Sequence, residues 1–122
     1  MNTKKNIFIC YKKCSTCKAV QNMLDEQHIT YEIREIDKDT PTQEELLTWH
    51  KQAGIPLKRF FNTSGLVYRN LGLKDKLATM SIEEQLDLLA SNGMLIKRPI
   101  FLEGTDVYVG ADVKKYLASR EE

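Results

Sequence analysis

The chain has almost no excess charge of either sign: among its 122 residues Lys and Arg number 18 and Asp and Glu 17, a net charge of +1. That balance gives no strong field for gathering a phosphate backbone or an anionic lipid surface, so neither direct nucleic-acid binding nor membrane binding is expected. A long apolar run is also missing. Past the charged start Met1-Asn2-Thr3-Lys4-Lys5-Asn6, only Ile7 to Tyr11 is continuously apolar. This is too short for a signal-peptide core or a membrane span, and the cytoplasm is the expected location. Cysteine is scarce, with three residues; secreted disulfide scaffolds use more and usually an even number, so free thiols are the expected resting state. No internal repeat or low-complexity tract interrupts the chain. Its hydrophobic fraction of 42% and charged fraction of 29% are those of a folded protein, and its length suits one domain.

Asn6-Ile7-Phe8-Ile9-Cys10-Tyr11 reads as a short strand covered on both faces, hence central in a parallel or mixed sheet. Lys12 and Lys13 end it. From Ser15 onward Cys17, Val20 and Leu24 recur at i, i+3 and i+7, one face of a helix reaching about Gln27, which turns Cys17 toward the core. Tyr31 and Ile33 alternate with polar neighbours and Ile36 follows, predicting a second strand parallel to the first through a right-handed crossover. After the polar loop 37–40, Pro41 suits a helix start, with Leu46, Leu47, Trp49, His50 and Ala53 on one partly apolar face before Gly54.

Residues 56–79 break into short helical pieces at Asn62-Thr63-Ser64-Gly65 and Gly72. Ser81 and Glu84 form a capping-box pattern that opens an amphipathic helix carrying Ile82, Leu86 and Leu89 to Gly93. The stretch 42–92 therefore reads as a helical insertion. Ile100-Phe101-Leu102 and Val107-Tyr108-Val109 flank the turn Glu103-Gly104-Thr105-Asp106 as a hairpin. Asp112 is placed to cap a last helix, with Val113, Tyr116 and Leu117 on its face before the polar end Ser119-Arg120-Glu121-Glu122. The order βαβ, helices, ββα is that of a single α/β domain over residues 1–122, with the insertion 42–92 between its second and third strands.

Cys14-Ser15-Thr16-Cys17 falls where the first strand turns into the first helix. There the first sulfur meets unpaired backbone N–H groups and the positive end of the helix dipole, which favour its thiolate. Lowering a cysteine pKa from roughly 8.5 to about 6.5 takes the thiolate at neutral pH from a few per cent to most of the population. Cys14 is thus the expected nucleophile. Cys17, one helical turn on, is the expected resolving thiol. Two alternatives stand beside this: half of a zinc site, for which Cys10, His28 and His50 supply no second paired spacing, and a purely structural pair of thiols. Cys10 reads as a core residue of the strand, and neither His28, at the end of the first helix, nor His50 reads as a catalyst. Arg98-Pro99 precedes the third strand. A proline beside the dithiol would bring an unpaired carbonyl and a fixed bend, and Arg98 next to it would hold an anion or a thiolate.

Tyr11-Lys12-Lys13-Cys14-Ser15-Thr16-Cys17-Lys18, Lys97-Arg98-Pro99-Ile100, Phe60-Phe61-Asn62-Thr63-Ser64-Gly65 and Leu71-Gly72-Leu73-Lys74-Asp75-Lys76-Leu77 together resemble the arsenate reductase-like family that also includes the Spx regulators. The resemblance runs over nearly the whole chain. It implies a thioredoxin-like fold with a helical insertion, Cys14 as reactive cysteine, Arg98 as its anion-binding partner and Pro99 as a cis proline. Pro99, with Ser15 and Thr16 between the cysteines, then falls on the substrate side of the site. Glutaredoxin-coupled arsenate reductases of this kind use further arginines, whose positions fall here near Asn62 and near Val109 or Gly110, with Arg59 or Arg69 as substitutes; they also lack the second cysteine that Cys17 supplies. General dithiol chemistry therefore ranks above true arsenate reduction. The implied substrate is a small thiol, an oxyanion or a protein disulfide. No bound cofactor or metal is implied, and the dithiol is reset by glutathione with glutaredoxin or by thioredoxin. The Spx resemblance implies a second role, a redox switch that binds RNA polymerase.

Overall fold

The structure is a computed structural model that describes residues 6–120. The charged start 1–5 and the terminal Glu121-Glu122, which figure in the reading above, lie outside the described residues. The chain forms two compact units, the first from Met1–Glu35 together with Arg98–Glu122, the second from Ile36–Lys97.

The first unit contains β1 (Ile7–Cys10), α1 (Ser15–Glu26), β2 (Glu32–Glu35), β3 (Ile100–Glu103), β4 (Asp106–Val109) and α6 (Ala111–Arg120). Its sheet has the order β2-β1-β3-β4, with β1 parallel to β2 and the other pairs antiparallel. Phe8 and Ile9 point to opposite faces of β1 and both are fully buried, as expected of a strand covered on two sides. On one face Phe8, Cys10 and Phe101 pack against Cys17, Val20 and Leu24 of α1 and Val113 and Leu117 of α6. The i, i+3, i+7 stripe of the first helix is therefore its buried face. The hairpin closes through the Glu103↔Asp106 pair, and Gly104 takes φ 62°, the left-handed value that such a two-residue loop needs at its first position.

Two expectations change here. Ile33 alternates with polar residues, yet it is 53% exposed. It pairs with Phe8 in parallel register and so stands on the α1 face of the sheet, but on an edge strand. Asp112 is not the cap of α6. The helix begins at Ala111, and Asp112 sits in its first turn, where a carboxylate still complements the dipole.

The second unit is helical: α2 (Gln43–Ala53), α3 (Leu66–Asn70), α4 (Leu73–Lys76) and α5 (Ile82–Ser91), with short 3₁₀ turns between them. The start of α2 is set by Thr42 rather than Pro41. The Thr42 hydroxyl accepts from the Glu45 N–H at 3.1 Å while the Glu45 carboxylate accepts from the Thr42 N–H at 3.0 Å, which satisfies two first-turn donors that a proline ring cannot serve. Ser81 and Glu84 make the same box at α5, at 3.1 and 2.8 Å. Leu46 and Trp49 of α2 and Leu86 and Leu89 of α5 are buried. Ile82 was expected on that face but is 48% exposed, because it occupies the first position of α5. A bridge joins Phe61 to Ile96, and the backbone at Gly93 passes so close to Ile36 that a Cβ would lie 2.1 Å from the Ile36 carbonyl oxygen.

Candidate functional site

The first unit carries the dithiol. β1 ends at Cys10, a tight turn follows in which the Cys14 N–H donates to the Tyr11 carbonyl at 3.0 Å, and Cys14 becomes the N-cap of α1. A cap position ordinarily holds an oxygen that accepts from the first helical turn. Here the acceptor is sulfur: the Cys17 N–H donates to Cys14 Sγ at 3.3 Å. Partial burial by itself would push the Cys14 thiol up. The Cys17 thiol, the Cys17 backbone N–H and the Arg98 guanidinium outweigh it, and Cys14 lies below its ordinary 9.0.

Cys17 behaves in the opposite way. It is 3% exposed, and burial pushes it up from 9.0 to about 12. The Tyr11 N–H, which donates to Cys17 Sγ at 3.5 Å, pulls downward, while the neighbouring Cys14 and Cys10 add to the rise. The pair is thus one acidic, half-exposed thiol and one buried, protonated thiol a helical turn apart. Among the described residues no disulfide joins any of the three cysteines.

Arg98 arrives from the other end of the chain, immediately before β3, and its peptide bond to Pro99 is cis. The guanidinium carbon lies 4.9 Å from the centre of the Tyr11 ring, a cation–π contact that fixes the charge beside the turn. Its Nε and Nη1 are buried and have no hydrogen-bond partner among the described residues. Buried N–H groups left unpaired are expensive, so these two face a position suited to an acceptor.

The structure therefore brings together Cys14, Cys17 and Arg98 of the expected site. Ser15 and Thr16 are exposed as the first two residues of α1. Pro99 is buried, and its carbonyl is not unpaired as expected: the Gly110 N–H, at the entrance to α6, donates to it at 2.8 Å. His28 ends up at the far end of α1, in a left-handed conformation of φ 58°, and His50 lies in the second unit against Phe60. Among the described residues no group of three His, Cys, Asp or Glu side chains is arranged to hold a metal ion, and no helix is long and apolar enough to cross a membrane. Tyr11 escaped the sequence reading. It supports Arg98 with its ring and Cys17 with its N–H, and only its place next to the Cys-x-x-Cys turn hinted at this. Beside Cys14 a cavity of about 430 Å³ opens, on which Cys10, Cys17, Lys12, Lys18 and Ile33 also border.

A Cys-x-x-Cys capping the helix after a central parallel strand, together with a cis proline before an antiparallel strand of the same sheet, defines a thioredoxin-like protein. Within that class the chain belongs to the ArsC family, whose profile matches residues 10–119. It is 48% identical over 103 residues to the uncharacterised protein YusI of Bacillus subtilis (strain 168), covering 84% of this chain and 87% of that protein. The regulatory protein MgsR of the same organism is 26% identical over 103 residues, 84% of this chain and 80% of its own length. The crystal structure of an ArsC-family-related protein from Bacteroides fragilis, 46% identical, superposes with a TM-score of 0.88 over 94% of this chain and 97% of that one.

Proposed function

We propose that the chain is a thiol–disulfide redox protein in which Cys14 is the nucleophile, Cys17 the resolving thiol and Arg98 the group that holds negative charge. The observation that carries this reading is the placement of the two sulfurs: Cys14 caps α1 and accepts from the Cys17 N–H at 3.3 Å, while Cys17, one turn on, is 3% exposed. The Cys14 thiolate attacks an oxidised sulfur and forms a mixed disulfide, and the displaced thiolate leaves and takes up a proton. Cys17 then loses its proton and attacks Cys14 Sγ. The substrate departs as a thiol, and a Cys14–Cys17 disulfide remains. Two electrons have passed from the dithiol to the substrate. Glutathione with glutaredoxin, or thioredoxin, returns them, a cycle suited to the reducing cytoplasm.

The unpartnered Nε–H and Nη1–H of Arg98 are suited to a leaving thiolate or an oxyanion. Ser15 and Thr16 offer first-turn backbone N–H groups on the same side. The test is an assay of purified protein with arsenate, glutathione and glutaredoxin, run beside a redox titration that follows disulfide formation by mass. A reversible Cys14–Cys17 disulfide is expected, with Cys14→Ser inert and Cys17→Ser trapped as a mixed disulfide. Unchanged turnover in Cys14→Ser would remove the assignment, and Cys14-dependent arsenate turnover would make the chain an arsenate reductase.

The similarity to MgsR, a regulatory protein, favours a second reading. In it the same disulfide switches docking to a protein partner such as RNA polymerase. A reversible disulfide without turnover, together with redox-dependent co-purification with RNA polymerase, would select it.

A further inference from the structure

The groove beside Cys14 carries features that the dithiol cycle does not use. Ile33 is more than half exposed on the α1 face of the edge strand β2, and it borders the same cavity as Cys14. Isolated exposed apolar residues are ordinary; one that lines a concave surface running up to a nucleophile is placed to contact whatever reaches that nucleophile. Across from it, α1 and the turn before it contribute Lys12 and Lys18. Both are exposed, and neither has an ion-pair partner among the described residues. Glu35 borders the β2 side.

We infer that this groove is a docking site for a peptide segment of a protein substrate, one that carries the oxidised cysteine next to an apolar side chain and a carboxylate. The apolar side chain packs on Ile33, and the carboxylate lies in the field of Lys12 and Lys18. The groove thereby selects protein disulfides over small ones. The inference rests on the dithiol reading above. Its chemistry is the same cycle: Cys14 Sγ bonds to the peptide's cysteine sulfur as the peptide's own S–S bond breaks, the displaced thiolate takes up a proton, and the Cys14–Cys17 bond then forms as the peptide leaves as a thiol.

The experiment is single turnover by the fully reduced full-length chain, with thiol release followed by mass. Three probes are compared: bis(hydroxyethyl) disulfide, and two peptides whose single cysteine is a mixed disulfide with mercaptoethanol. One peptide flanks that cysteine with Leu and Asp, the other with Ser and Lys. The Leu/Asp peptide is expected to react about tenfold faster than the Ser/Lys peptide, the scale of one partly buried aliphatic side chain. Ile33→Ser combined with Lys12→Ser and Lys18→Ser should erase that ratio, and Lys12→Glu with Lys18→Glu should turn the charge preference toward the Ser/Lys peptide. Leu66→Lys, an exposed site in the second unit, should leave every rate as it is. Equal rates for the two peptides while the small disulfide still reacts, or a preference that survives the groove variants, would overturn the docking site and leave the dithiol reading standing. No thiol release from any probe would remove both.

Discussion

Cys14 and Cys17 differ through the atoms that surround each sulfur. Removing Arg98 should expose that directly. In Arg98→Ala the pH at which Cys14 becomes half-alkylated by iodoacetamide should move upward, because burial is then opposed only by Cys17. Arg98→Lys should recover part of the shift. An unchanged alkylation midpoint would take the guanidinium out of the account. Cys17 predicts an alkaline effect. Its folded value, about 12, lies above the ordinary 9.0, so the unfolded chain ionises first. The stability this group contributes is complete below 9 and is lost as pH rises toward 12, with the protons leaving the unfolded state first. Urea midpoints should therefore fall with pH across that window in wild type and fall less in Cys17→Ala. The place of both cysteines at a strand-to-helix turn was legible from the sequence because strand, turn and helix follow one another locally there, whereas Arg98 was singled out only by Pro99 after it and by the family resemblance. The ring of Tyr11 under Arg98 was not legible, since the contact spans most of the chain and leaves no periodic trace.

The two longer helices of the second unit, α2 and α5, begin where side chains can serve backbone donors. Thr42→Ala and Ser81→Ala should each cost about 1 kcal/mol in denaturant unfolding. The second box was readable as Ser81 with Glu84. The first was hidden behind Pro41, whose fixed φ is compatible with a helix start but does not compel one. Ile33 and Ile82 were misplaced for a shared reason: periodicity reports which residues share a face, whereas an edge strand or a helix end leaves part of that face uncovered. Gly93 carries the sharpest test at this scale. A methyl group there would meet the Ile36 carbonyl oxygen at 2.1 Å, so the backbone must move, and Gly93→Ala should destabilise the chain by roughly 1–3 kcal/mol. A variant as stable as wild type would contradict the close approach.

The first unit is discontinuous in sequence, since β1 and β3 pair directly while the whole of Ile36–Lys97 lies between them in the chain. If the second unit melted, that span would become a flexible loop whose closure costs on the order of 4 kcal/mol. Loss of the second unit should therefore weaken the first. Hydrogen exchange on Gly93→Ala should show faster opening of β1 and β3 amides as well as those of α5. Protection retained in β1 and β3 would show that the sheet holds without an ordered connection. The limits of the second unit come from contacts of Ile36, Phe61 and Ile96 that no local pattern records, and none records the pairing of β1 with β3 either, whereas the parallel β1–β2 pair and the β3–β4 hairpin followed from short connections.

Trp49 of α2, the chain's single tryptophan, is buried in the second unit, while the dithiol belongs to the first. The molecule therefore contains two optically separate reporters. Indole fluorescence follows the state of the helical unit, and the ultraviolet absorbance of the Cys14 thiolate follows the redox site, so a single unlabelled sample shows whether changing the charge on one sulfur is felt by the other unit.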